Sequence, residues 1–154
     1  MLMNGALMLK KLVIIAGLSL TIVGCASTVP MATPAQDAQA KQFTAKPGVA
    51  SVYIYRNESL GKAVKLPLEL DGKMLGQTGY KTYFHTEVAP GPHKVTTRAE
   101  NTTELTFDAI AGKIYYIWQE VKMGMWAAKA QLQLVDEATG KKGVNESNLA
   151  SPIQ

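Results

Sequence analysis

Val64-Lys65-Leu66-Pro67-Leu68-Glu69-Leu70-Asp71-Gly72-Lys73 decides the class of fold. Val64, Leu66, Leu68 and Leu70 alternate with Lys65, Pro67 and Glu69, the period of two that turns apolar side chains to one face of a half-buried strand. Pro67 has no N–H to give a ladder, which predicts an edge position. Asp71-Gly72 then reverses the chain, because a type I′ turn needs positive φ that Gly adopts freely and Asp tolerates. Lys73–Thr78 is the returning strand.

The same period recurs on both sides. In Ser51–Arg56, Val52 and Ile54 oppose Tyr53 and Tyr55, which predicts a strand covered on both faces. Tyr80–Val88 sets Tyr80, Thr82, Phe84, Thr86 and Val88 against Lys81, Tyr83, His85 and Glu87, and Pro90-Gly91-Pro92 turns the chain into His93–Ala99. Thr103–Ala109 carries Leu105 and Phe107 on one face. Ile114–Lys122 is apolar on both faces and is expected to be central. Lys129–Val135 reads as the last strand, and from Asp136 a short helix to Thr139 is stopped by Gly140. Residues 141–154 read as a frayed tail. No helix of sandwich-packing length is expected. Seven or eight short antiparallel strands with turn residues between them define an all-β sandwich over residues 48–140.

The amino-terminal part has another composition. Lys10 and Lys11 precede Leu12–Val23, a run of 12 residues that ends on Gly24-Cys25, the one cysteine of the chain. A membrane-spanning helix needs about 20 apolar residues, so the run has the length of a secretory signal. Ile22-Val23-Gly24-Cys25 resembles the lipobox of bacterial lipoproteins. That resemblance implies cleavage between Gly24 and Cys25, with residues 1–24 removed, a diacylglyceryl group on the Cys25 sulfur and an N-acyl chain on its amine. Two or three acyl chains together form a lasting anchor. Ala26 and Ser27 follow, without the aspartate that retains such proteins in the inner membrane of enterobacteria. The resemblance therefore implies the periplasmic face of the outer membrane. Residues 25–47, with Pro30, Pro34 and Pro47 among Ala, Thr, Gln and Ser, read as a lipidated, flexible linker; a first strand or helix docked on the domain is the alternative.

Loss of Lys10 and Lys11 takes two units from the formal charge of +4, and no Lys/Arg cluster points to nucleic acid. With its cysteine acylated, the mature chain has no disulfide and depends on its apolar core.

Leu68-Glu69-Leu70-Asp71-Gly72-Lys73, Leu75-Gly76-Gln77-Thr78 and Val88-Ala89-Pro90-Gly91-Pro92-His93-Lys94-Val95 resemble the PEGA-type envelope repeat, with Pro92 departing from its usual polar residue. Gly112-Lys113-Ile114-Tyr115-Tyr116-Ile117 and Leu134-Val135-Asp136 resemble a family of small bacterial lipoproteins catalogued as a domain of unknown function. The resemblance implies a single Ig-like or PEGA-like sandwich and brings no catalytic residues.

The chemistry in the sequence is sparse. His85, His93 and Glu87 would make a zinc site only if a hairpin about Pro90-Gly91 joined them, and neither HxH nor HxxxH spacing does so. No Gly-x-Ser-x-Gly elbow flanks a serine. No metal, cofactor or catalytic residue is expected, and a metal-dependent enzyme is the distant alternative. Tyr53, Tyr55, Tyr83, Tyr115 and Trp126 could form an aromatic binding platform, although aromatic side chains on sandwich strands usually belong to the core. The expected function is a non-catalytic interaction or scaffold module, membrane-bound through its lipid, that binds an envelope protein by a sheet edge or aromatic face. Binding of peptidoglycan or surface polysaccharide is the alternative.

Overall fold

A computed structural model describes residues 29–153. Gly24, Cys25 and the segment expected to be a signal lie outside the described residues. Within them, nine strands form two sheets: β1 (Ala50–Arg56), β2 (Leu66–Leu70), β3 (Lys73–Thr78), β4 (Thr82–Val88), β5 (Gly91–Arg98), β6 (Thr102–Ala109), β7 (Ile114–Met123), β8 (Ala128–Val135) and β9 (Asn148–Leu149). One sheet has the order β8-β7-β1-β4-β9 and the other β3-β2-β5-β6. The result is a β-sandwich.

The alternating positions pack as their period requires. Val52 and Ile54 of β1, Leu68 and Leu70 of β2, Phe84 and Val88 of β4, and Val95, Phe107 and Ile117 fill the space between the sheets. Asp71 and Gly72 have φ of 51° and 78°, and Leu70 pairs with Lys73, so the expected two-residue turn forms. A polar tie crosses this core. Gln119, wholly buried on β7, donates from Nε2 to Thr97 Oγ1 of β5 at 2.6 Å and accepts from Thr78 Oγ1 of β3.

Several expectations are corrected. The strands are not all antiparallel: β1 runs parallel to β7 and β4 parallel to β9. Pro67 is not on an edge strand, since β2 lies between β3 and β5; it stands one residue before the β2–β5 ladder begins at Leu68, where its missing N–H interrupts nothing. Pro90-Gly91 does not close a hairpin either, because β4 and β5 belong to different sheets. Residues 34–40, expected within a linker, form α1 (Pro34–Ala40). Residues 137–145, expected as a helix broken at Gly140 and a tail, form α2 (Glu137–Asn145).

Gly140 and Gly143 do not end α2; they bring it against the outer face of the five-stranded sheet. A Cβ on Gly140 would lie 2.1 Å from Tyr116 Cγ, and one on Gly143 2.0 Å from Tyr55 Cε2. Only a bare backbone can approach the rings so closely. Next to Tyr55, at the carboxyl end of β1, the Arg56 side chain is fully buried and donates to the carbonyls of Val64, Gly61 and Leu60 at 2.7, 2.5 and 3.3 Å. It holds the β1–β2 connection in place.

Gly140→Ala and Gly143→Ala should each lower stability by about 3 kcal/mol, the upper part of the usual overpacking range. Lys142→Ala, on the exposed side of the same helix, should stay within about 0.5 kcal/mol. Urea denaturation of the three variants checks this, and equal effects would refute the close helix–ring contact.

Candidate functional site

The outer face of the five-stranded sheet is where the structure concentrates uncommitted polar groups. Thr33 caps α1 through a capping box with Gln36, and Pro34 begins the helix. Asp37 then accepts from Lys41 Nζ and the Leu149 N–H, both at 2.8 Å. Lys41 Nζ also donates to the Ser147 carbonyl at 2.6 Å. These bonds fix α1 beside β9, and Tyr53 Oη on β1 donates to the Ala40 carbonyl at 2.7 Å. Where α1 stops, the sheet is left partly open.

The opening is a groove of about 570 Å³ lined by Gln36, Gln39, Gln42, Lys46, Tyr53, His85, Thr86 and Glu87, among others. His85 stacks on Tyr53 with ring centroids 4.3 Å apart and planes 17° off parallel. Its Nε2 is buried without a hydrogen-bond partner. Burial holds the His85 pKa below its usual 6.5, Lys46 acts in the same direction, and the Glu87 carboxylate opposes both. Lys46 and Glu87 pair at 2.7 Å. Burial likewise pushes the phenols of Tyr53 and Tyr55 up to about 12, which keeps both neutral.

Beside the groove runs a bare sheet edge. β9 pairs with β4 only at Thr82 and Tyr83, and the Ala150 N–H reaches the Tyr83 carbonyl at 2.8 Å. From His85 to Val88 no strand lies on that side of β4 among the described residues. Two other edges are covered in part. The Asn101 side chain donates to the Ala130 carbonyl of β8 and accepts its N–H, each at 2.9 Å. The Ile153 N–H covers β3 at the Leu75 carbonyl, 2.9 Å away. An open edge offers unpaired N–H and C=O groups to an added strand.

The aromatic platform is not assembled. Tyr53, Tyr55 and Tyr83 are buried beneath the two helices. Tyr115 faces the opposite side of β7 from Tyr116, donates to the Asp108 carbonyl at 2.9 Å and packs against Phe107. Trp126 is 89% exposed on the β7–β8 connection, away from the other four. The physical reason is the helical cover, which turns tyrosines on an outer face into interior residues. His85 and His93 lie in different sheets. His93 Nδ1 meets Asp71 Oδ2 at 2.7 Å and its Nε2 meets the Ala89 carbonyl at 2.8 Å. Among the described residues no group of three or more His, Cys, Asp or Glu side chains is placed to share a metal ion.

Sequence reading missed Gln36, Gln39, Gln42 and Lys46 because their segment passed for a linker. The sign was present in Thr33-Pro34-Ala35-Gln36, a capping box with Pro at the first helical position. Arg56 gave no comparable sign: a terminal arginine on a strand normally reaches solvent.

Two packed sheets, with a helical cover over one outer face and a groove where the cover ends, define a small β-sandwich protein. The chain belongs to the family described as "Protein of unknown function (DUF2846)", which matches residues 46–131. It is also 36% identical to an uncharacterized protein of Haemophilus influenzae over 138 residues, 88% of this chain and 82% of that one. No solved structure matches it. The family match takes in Lys46, Tyr53, His85 and Glu87 of the groove, whereas α1 and α2 lie outside it.

The two histidines should titrate on opposite sides of 6.5. Partial burial works against protonation of His93, but its hydrogen bonds to Asp71 and Ala89 and the Asp71 charge outweigh this and raise its pKa. His93 therefore contributes stability that is fully present below 6.5 and lost as pH rises through its folded pKa. His85 has the opposite sign, because the unfolded chain takes up its proton first and the fold weakens as pH drops below 6.5. NMR titration of the imidazole resonances, with His85→Phe and His93→Gln for assignment, should show this order; coincident midpoints would contradict it.

Proposed function

We propose that this chain is a lipid-anchored envelope protein whose sandwich binds an extended segment of a partner protein along the open edge of β4. The observation that carries the reading is the buried, unpartnered Nε2 of His85 in the groove next to that edge. A buried polar atom without a partner costs about 1–3 kcal/mol, and a ligand recovers it once the His85 ring turns its Nε2 toward the groove. Strand addition is a general way to bind such a ligand: the main chain supplies affinity, and pockets for alternate side chains supply specificity. The groove is a pocket of this kind, with a flat ring stack on its floor and the Lys46–Glu87 pair among its lining.

Anchorage rests on the order of charge, apolar run, Gly24 and Cys25. In this reading Cys25 carries diacylglyceryl and N-acyl groups, and Ala26-Ser27 directs the protein to the periplasmic face of the outer membrane. A second reading, binding of peptidoglycan or surface polysaccharide, is favoured by one feature: three glutamine amides, Gln36, Gln39 and Gln42, line the same groove, and amides suit hydroxyl-rich ligands.

Metabolic palmitate should label the wild-type chain and leave Cys25→Ala unlabelled and extractable without detergent. A photo-crosslinking residue at Thr86 should give a discrete protein adduct in whole envelopes. His85→Phe, which retains a stacked ring and loses Nε2, should reduce that adduct several-fold. An undiminished adduct in His85→Phe would remove the groove from the reading, and cosedimentation with purified sacculi in place of an adduct would favour the glycan.

A further inference from the structure

The end of β7 and the β7–β8 connection carry the most exposed apolar side chains of the described residues. Met123 is 79% exposed, Met125 78% and Trp126 89%. Exposed apolar residues are ordinary when scattered singly, and three on one tip are not. The tip is also built. Glu100 Oε2 accepts the N–H groups of Trp126 and Ala127 at 3.2 and 2.9 Å, and the Glu100 N–H donates to the Ala128 carbonyl at 3.0 Å. A Cβ on Gly124 would stand 2.1 Å from the Ala127 carbonyl oxygen. The three side chains are thus displayed on a tightly folded turn.

The register fixes where this tip lies. β7 runs parallel to β1, with Trp118 level with Tyr55, and continues five residues to Met123, roughly 17 Å at about 3.3 Å per residue. Thr82 is level with Arg56, so the β3–β4 turn that holds Gly79 belongs to the same end of the sandwich. Val29, where the described chain begins, packs there: its Cγ2 lies 3.1 Å from the place of a Gly79 Cβ. Ala26, Ser27 and Thr28 alone separate Val29 from Cys25. Four Cα steps reach at most about 14 Å. The reach of the anchor and the projection of the tip are therefore similar in size and issue from one end.

We propose that Met123, Met125 and Trp126 form a second membrane contact, entering the headgroup and upper acyl region of the bilayer that holds Cys25. The inference rests on the lipid-anchor reading above. Tryptophan favours that depth because its ring is apolar and its N–H polar. Lys122 and Lys129 flank the tip with exposed side chains, and their stems can lie along apolar surface while the ammonium groups stay in water. Anchor and tip together fix the tilt of the domain, which an acyl tether alone leaves free.

The test uses the full-length chain, purified from membranes with Trp118→Phe so that Trp126 is the only tryptophan, and reconstituted in vesicles of phosphatidylethanolamine and phosphatidylglycerol. Palmitate incorporation is read on the same preparation. A labelled protein whose Trp126 emission shifts to the blue, and is quenched by lipids brominated in the upper acyl chain, supports the inference. Met123→Ser with Met125→Ser should reduce the quenching at unchanged thermal midpoint. A labelled protein with water-exposed, unquenched Trp126 overturns the inference and leaves the anchor standing. An unlabelled chain overturns the anchor and the inference together. Protection of Trp126 only on addition of envelope proteins also overturns it, in favour of a docking site for protein.

Discussion

Burial of β1 on both faces is the constraint on which the rest of the structure depends. All seven of its residues are buried, with Val52 and Ile54 turned toward the second sheet and Tyr53 and Tyr55 turned away from it. A sandwich supplies cover for only one face of each sheet. The tyrosines require a third layer, and α1 and α2 provide it from segments on either side of the sandwich sequence. The cover must also answer the phenol groups: Tyr53 donates to the Ala40 carbonyl, while Tyr116 Oη is left without a partner. The glycines of α2 follow from the same demand, since a helix that lies flat on two rings has no room for side chains between.

Parallel pairing of β1 with β7 has its own consequence. It places the carboxyl ends of both strands at one end of the molecule, and β7, which is longer, carries the hairpin tip past that end. The buried tie from Gln119 to Thr97 and Thr78 sits one residue beyond the last β1–β7 pair. There it links the sheets where the third apolar cluster, Leu66, Val121 and Ala130, is small. A polar bolt near the thin end of a core supplies registration that a few apolar contacts cannot.

Strands were legible in the sequence because each has a solvent side or a core side that enforces the period of two, and Asp71-Gly72 because its backbone conformation restricts residue choice. The double burial of β1 was legible for the same reason. Its cover was not: α1 and α2 are short, and their contact surfaces are built of alanine and glycine, which carry little periodic signal. Strand pairing was not legible either, since nothing in Ser51–Tyr55 or Ile114–Trp118 records that the two run in one direction. Of the candidate site, the histidine could be named from the sequence but not the glutamines, because Gln36 and Gln39 line its groove from a helix, and Gln42 from just beyond it, in a segment that had passed for a linker.

The two features singled out by chemistry lie toward opposite ends. Val88 is level with Ala50, at the amino end of β1, so the open edge of β4 runs from mid-strand away from the tip. Val29 and the β7–β8 turn occupy the carboxyl end of β1. A single sheet separates a rigid apolar tip from an unpaired backbone edge with a polar groove beside it. If lipid holds the first, the second faces away from the bilayer, at a distance set by the strands rather than by a tether. A flexible linker would have left that distance undefined; docking α1 and pairing Met31 with Ala150 removes that freedom.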